Sequence, residues 1–435
     1  MFRASLVTIF SLLLLLLVAS FLFLFPFFPF FPHLNYLLGQ SQPTSYLLLL
    51  QNDTEMRANG GFAGSYAKIN LNFSHFDINF QDIYVPNGQL TGYVTPPAPI
   101  QAAFQHGTWE LANADWEPDF PTAAKTIRWF FEKGGETNPD ILATISVSTI
   151  KDILHLLGPI SIQEYQATLD ENNFYHFLQS KVETNFFPGS TQKKDTLTVI
   201  GKALKDKITH LNFIQYIQIL NLIKRELNQQ NILLNSTNKD FQNFLISHHF
   251  AGQIKPGPLD SYLLVETNLG ANKANCCTET TTTHTISRVN SSYLHQVHVK
   301  INNKSDSANP NPPFTYSGHY LAYLRFYLPQ DSFDLSLTPN QSSPSGGLSN
   351  IFFDNQVTIK DNLGFKEVGF FHITAAGTTS TIDLSYLTAT GSADRPYQLD
   401  ILKQNGQRRS PSLIQYQNRT FNTDLLTHFS IQDRP

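Results

Sequence analysis

The chain has 435 residues, 41% of them hydrophobic and 13% aromatic, with a formal net charge of −4 at pH 7. That length allows two or three domains, and the aromatic content excludes wholesale disorder. A slightly negative chain without a long basic run is not a general nucleic-acid binder. The composition is uneven: no Asp, Glu, Lys or Arg occurs from Ala4 to Asn52. The only cysteines, Cys276 and Cys277, are adjacent. Neighbouring cysteines rarely bridge each other, so the expectation is a fold held by packing alone, with no disulfide framework.

Ala4 to Phe25 is a charge-free stretch of 22 residues. At about 1.5 Å per residue it can cross a hydrocarbon core of about 30 Å. Arg3 precedes it and the next basic charge is Arg57, which puts the start in the cytoplasm and the bulk outside. A cleaved signal peptide is the rival reading, with Val18-Ala19-Ser20 as the nearest match to a cleavage site. The reading is therefore one N-terminal transmembrane helix, single-pass in the cell membrane. Residues 1–32 form the anchor and an interfacial Pro-Phe segment, since Pro26, Pro29 and Pro32 interrupt a helix. Residues 33–45 read as a polar linker.

Tyr46–Leu50 is a short apolar run of the buried-strand kind, and strand-like runs follow at Ser65–Phe73 and Asp77–Val85. A helix is expected from Pro121 to Phe131, opened near Asp119, then a strand at Ile141–Ser146 and a helix at Ser148–Leu157 stopped by Gly158-Pro159. Helices are expected at Thr191–Ile208, Phe213–Gln230 and Asp240–His249, with a strand at Asn231–Leu234 between the last two. This alternation makes residues 46–277 an α/β domain. After Thr278 the pattern changes to strands at Thr280–Ser287, Leu294–Asn302, Tyr320–Tyr327, Gln356–Lys360, Phe365–Thr374, Thr379–Tyr386 and Tyr397–Lys403. Residues 278–435 therefore read as an all-β sandwich.

Several clusters could carry chemistry. Asp53, Glu55 and Arg57 follow the first strand, where ligands of open α/β sheets bind. Arg57 could hold a phosphate and Asp53 a divalent cation; a local salt bridge is the plainer alternative. Gly60 and Gly61 lie in a Gly-rich loop that could present N–H groups to an anion or simply make a turn. Asp115, Glu117 and Asp119 surround Trp116 and could take Mg²⁺ or Ca²⁺, unless Asp119 caps the following helix. Trp109 and Trp116 could stack on a sugar. Lys193 and Lys194 head a helix whose positive end favours an anion, and Lys273 could reach the same place or belong to a turn. The histidines show no metal-ligand spacing, and no Gly-x-Ser-x-Gly elbow is present.

Four ordered stretches carry a family resemblance: LLLLQNDTEMRANGGFAGS at Leu47–Ser65, NADWEPDFP at Asn113–Pro121, DILATISVSTIKDILHLLGPI at Asp140–Ile160 and LDSYLLVETNLGANKAN at Leu259–Asn275. Together they resemble the bacterial domain of unknown function 4012 family, whose members carry membrane anchors. More distantly, the order is similar to the LytR-CpsA-Psr phosphotransferases of the cell wall. Leu47–Leu50 leading to Asp53 and Arg57, the segment Asp82–Asn87, the turn Leu156–Ile160 and Lys193-Lys194-Asp195 stand in the places of that family's motifs. No Arg follows Pro86, and lysines stand where arginines would grip phosphate bidentately.

The resemblance implies an α/β/α sandwich followed by the β-sandwich. It also implies a polyprenyl-phosphate-linked or cell-wall glycopolymer as the ligand, bound or transferred. Arg57 and Asp53 would be the catalytic pair, with Lys193, Lys194, Gly60, Gly61 and Lys273 around the phosphate. Asp53, Asp115 and Asp119 would hold Mg²⁺. The alternative reading is a non-catalytic surface protein whose sandwich contacts a partner or polymer.

Overall fold

The computed structural model describes residues 25–73, 75–105, 107–183, 192–306, 318–342, 356–389 and 397–433. The expected membrane span therefore lies outside the described residues except for Phe25. Among the described residues no helix is long and apolar enough to cross a membrane.

The first sheet contains β1 (Thr44–Arg57), β2 (Gly60–Asn72), β3 (His75–Asp82) and β4 (Ile141–Ser146). A small hairpin, β5 (Ile160–Ile162) with β6 (Ala167–Leu169), lies outside it, and β7 (Leu234–Ser236) completes it. Its order is β3-β2-β1-β4-β7, with β1 and β4 parallel and the other pairs antiparallel. Strand alternation sends Leu47 and Leu49 to one face and Leu48 and Leu50 to the other. The Leu47 and Leu49 face packs on α1 (Phe120–Lys133) through Phe120, Ala124, Ile127 and Phe131. The opposite face is covered by α2 (Val147–Leu157), α3 (Phe174–Glu183) and α4 (Gln192–Thr209). Then come α5 (Phe213–Asn228) and α6 (Lys239–Ser247). β4 is buried along its whole length, as a parallel strand covered on both faces must be.

The helix starts follow from capping. Asp119 accepts from the Thr122 backbone N–H and opens α1, and Ser146 does the same for α2 through Thr149. Asn212 and Gln215 form a capping box at α5.

The second unit has two six-stranded sheets. Its strands are β8 (Asp260–Asn268), β9 (Thr278–Val289), β10 (Ser292–Asn303), β11 (Tyr320–Pro329), β12 (Phe333–Asn340), β13 (Thr358–Asn362), β14 (Phe365–Thr374), β15 (Thr379–Ala389), β16 (Gln398–Ile401), β17 (Ser412–Tyr416), β18 (Arg419–Thr423) and β19 (Phe429–Gln432). One sheet runs β12-β15-β10-β9-β17-β18 and the other β13-β14-β11-β8-β16-β19. Val297, Val299, Ile382 and Leu384 of the first meet Leu324, Phe326, Val368 and Phe370 of the second in one buried core.

Four sequence expectations change. Cys276 and Cys277 are joined as a vicinal disulfide. The bridge closes a ring within one dipeptide, so it ties no distant segments and packing still holds the fold. Residues 260–268, placed by sequence in the first domain, are a sandwich strand paired with β11 and β16. The strand expected at Asn231–Leu234 begins only at Leu234, because Ile232 and Leu233 are core-filling residues of the approach to it. Residues 33–45 are not a free linker. Tyr36 places its hydroxyl 2.9 Å from Ser236 Oγ, and Phe30, just before, stacks on Phe250 instead of facing outward.

Candidate functional site

The helical face of the first sheet does not close completely. Leu48 and Leu50 of β1, Ile78 and Phe80 of β3, and Ile145 of β4 face Ile150 and Ile153 of α2 and Leu178 of α3 across a cavity of about 450 Å³. The fourth wall is α4, whose Lys193, Leu197, Ile200, Leu204 and Ile208 recur at three- and four-residue spacing and so share one helix face. From Lys193 to Ile208 this wall runs about 22 Å at 1.5 Å per residue. The cavity is an apolar trough, of a size that fits a small ligand or part of a long one.

Its upper end is polar. Gln51, Asn52, Glu55, Ser65, Ser146, Lys193 and Lys273 line it. Lys193 Nζ lies 3.2 Å from Asp82 Oδ2 and also donates to the Gly64 carbonyl. Burial pulls the Lys193 ammonium below its ordinary value, Asp82 opposes that pull, and the like charge of Lys273 adds to it. A side chain at Gly64 would sit 3.1 Å from Lys193 Nζ, so glycine keeps this approach open. Glu55 pairs with Arg57 at 3.0 Å. At this end Lys193 and Lys273 stand with two carboxylates, Asp82 and Glu55, and Glu55 is already paired with Arg57 behind it.

The structure sorts the sequence candidates into two places. Lys193 and Lys273 line the trough, and Lys194, next to Lys193 on α4, does not. Asp82, from the second motif segment, is the partner of Lys193. Arg57 does not line the trough. Its guanidinium is 4% exposed, donates to the Asn268 carbonyl at 2.8 Å and lies over the Phe62 ring at 5.1 Å. It is a fastening between the two units.

Gly60 and Gly61 make the β1–β2 hairpin and form no anion cradle. A Cβ on Gly61 would lie 2.1 Å from the Asn52 backbone, and one on Gly406 would lie 2.3 Å from Gly60 Cα. Backbones pack there against backbones.

The carboxylates proposed for Mg²⁺ do not converge. Asp119 is spent on Thr122 and on the Ile254 N–H at 2.9 Å. Asp115 accepts from Asn59 at 2.6 Å, and burial pushes its carboxyl up to about 6. Asp53 faces a separate polar cleft of about 500 Å³ between the units, beside Arg408, Lys304 and the Cys276–Cys277 pair. Burial raises the Asp53 carboxyl, and its Oδ1 has no hydrogen-bond partner. Among the described residues no three His, Cys, Asp or Glu side chains are placed to share a metal ion, so the donor set does not fit one. Trp116 does not offer a sugar platform either, because Arg325 lies over its ring at 4.3 Å.

Sequence reasoning missed the junction residues. Arg325 is fully buried and donates to the Trp116 carbonyl at 2.8 Å. Asn405 reaches Asn59, Pro118 and Gly252 with one amide nitrogen, and Gln404 bridges the Arg57 and Glu266 carbonyls. The signal for Arg325 was available as the lone charge in LAYLRFYLP. Nothing in the sequence distinguished Gln404 and Asn405 from ordinary turn residues.

Residues 41–182 match the family model described as Protein of unknown function (DUF4012). No curated protein matches the chain in sequence. The solved structures that the chain matches over part of its length include protein gbs0355 from Streptococcus agalactiae (14% identity, 48% of this chain and 74% of that one, TM-score 0.31). TagV of B. subtilis is another (12% identity, 50% and 87%, TM-score 0.30). A third is TagT bound to LI-WTA (13% identity, 48% and 75%, TM-score 0.28).

Proposed function

We propose that the chain is a membrane-anchored protein of the cell envelope, with its bulk outside the cytoplasm. It binds a polyprenyl-phosphate-linked or cell-wall glycopolymer by the lipid end. One observation carries this reading: a trough of about 450 Å³, lined mainly by apolar side chains with Gln179 and Lys205 among them, holds Lys193 and Lys273 at its polar end. An isoprenoid chain leaving water gains roughly 25 cal/mol per Å² of apolar surface buried, and the trough supplies that surface. A phosphate at the upper end would meet Lys193 and Lys273 directly, with Arg57 behind Glu55. Lysines act there as point charges, suited to holding a phosphate without fixing its orientation.

Binding is the whole of the proposal. Arg57 is committed to Glu55 and the Asn268 carbonyl, and Asp53 faces the other cleft, so the expected catalytic pair does not meet the phosphate position. The test is a titration of the full chain in detergent with geranylgeranyl phosphate. Saturable binding is expected, weakened at least tenfold by Lys193→Ala (about 1.4 kcal/mol) and by Leu197→Trp, which fills the trough. No saturable binding, or binding indifferent to both substitutions, contradicts the reading.

A further inference from the structure

The first domain has an apolar lower edge. It is formed where β1 starts, β2 ends and β3 begins, since Thr44 pairs with Leu71 and Asn72 with His75. Phe73, in the β2–β3 turn, is 62% exposed and donates its N–H to the Leu38 carbonyl at 2.9 Å. α4 descends from Lys193, beside Gly64 and Asp82, to this edge, where Lys205 Nζ lies 4.2 Å from the Phe76 ring centre. Phe213 and Ile214 begin α5 just beyond and are 65% and 68% exposed.

Three features identify what covers this edge. The chain arrives here from the charge-free stretch Ala4–Phe25, and Phe30, His33 and Tyr36 then pack on Phe250, Phe241 and Ser236. The lower half of α4 carries Lys202, Lys205 and Lys207 against one carboxylate, Asp206, a net positive rim beside exposed aromatic and aliphatic groups. That pairing is what an interfacial segment offers to anionic headgroups and acyl chains. Finally, Phe76 and Ile208 line the trough itself, so its lower end opens at this edge.

We infer that the edge formed by Phe73, Phe76, Phe213 and Ile214 sits in the headgroup layer of a phospholipid bilayer. The trough opens into that layer. A lipid phosphate then rises head first toward Lys193 while its tail trails toward the membrane. This loading route rests on the reading of the trough given above, whereas the bilayer contact stands without it.

The test uses the full chain in phosphatidylcholine–phosphatidylglycerol vesicles with brominated acyl chains. The emission that Phe213→Trp adds to the parent chain should be quenched, and that added by Ile359→Trp, exposed in the sandwich, should not. Equal quenching of both, no quenching of Phe213→Trp, or protection of this edge by a second copy in vesicle-free detergent overturns the inference. For the route, Ile214→Glu should slow uptake of geranylgeranyl phosphate from vesicles and leave its affinity in detergent unchanged. Uptake at the parent rate overturns the route. A parent chain that binds no geranylgeranyl phosphate in detergent overturns the trough reading and the route together, while quenching of Phe213→Trp still supports the bilayer contact.

Discussion

The two surfaces that meet at the end of β1 differ in kind. On the trough side, apolar side chains leave space and the polar end holds a small number of charges. On the junction side, charges and amides are tied one to another. Arg57 holds the Asn268 carbonyl, Asn59 holds Asp115 and the Glu117 carbonyl, and Arg325 holds Trp116. Asp53, Glu55 and Arg57 lie within five residues of one another, yet Glu55 faces the trough, Arg57 the junction and Asp53 the cleft. The strand expected to stop before Asp53 in fact runs through Arg57, and a charged residue at a strand's carboxyl end is a ligand group only if its neighbours leave it capacity to bind; here the junction consumed most of that capacity.

This contrast can be broken most forcefully at Arg325. Arg325→Ala removes a buried cation from over Trp116 and leaves Glu367 and Glu117 without its positive field. It should cost about 3–5 kcal/mol of stability in denaturant melts while leaving geranylgeranyl phosphate affinity unchanged in whatever fraction stays folded. Asn405→Ala strands acceptors on Asn59, Pro118 and Gly252 and should cost about 1–3 kcal/mol. Asn238→Ala removes the exposed cap of α6 and should cost about 1 kcal/mol. A loss of stability no larger than that of Asn238→Ala, in both junction variants, would remove the distinction between the two sides.

The junction also sets a pH dependence. Lys403 is fully buried, and burial, with Arg408 nearby, holds its ammonium down at about 7. The unfolded chain keeps that proton up to an ordinary lysine value near 10.4. Between these values the folded state binds fewer protons, so stability rises with pH through the window. Lys403→Met should flatten that slope and stabilise the protein most near pH 7, which melts at pH 7 and pH 9.5 would read directly. Lys193→Ala leaves the largely buried Asp82 carboxylate without its ion pair at the trough's upper end and should itself cost about 1–3 kcal/mol, so its effect on binding is read on the folded fraction.

Local pattern carried much of the fold. The strand at Ile141–Ser146 and the strand at Phe365–Thr374 are where periodicity places them, because their apolar runs are bounded by turn residues. β12, β17, β18 and β19 lie outside the expected strands: β17, β18 and β19 are only four or five residues long, and β12 is an exposed edge strand that ends in Pro339-Asn340. β8 is legible as a strand from its apolar run Tyr262–Val265, but which sheet it joins depends on contacts with β11 and β16 that sequence spacing does not encode. The site was legible in part. Lys193 and Lys273 could be named from their neighbours, and the trough wall is visible in the spacing of Leu197, Ile200, Leu204 and Ile208. Arg57, Asp115 and Asp119 look alike as exposed loop charges in sequence. The cap by Asp119 is legible from its place before Pro121, but the junction roles appear only when residues 252–254, 268 and 325 arrive from elsewhere in the chain.

The most direct measurement is photolabelling of the full chain with a diazirine-bearing geranylgeranyl phosphate, followed by mapping of the labelled peptides. Label concentrated in Val147–Leu157 and Gln192–Thr209, and reduced by Leu197→Trp, is the expected result. Label that falls instead on the interdomain cleft or the sandwich, and is indifferent to Leu197→Trp, would contradict a lipid-binding trough.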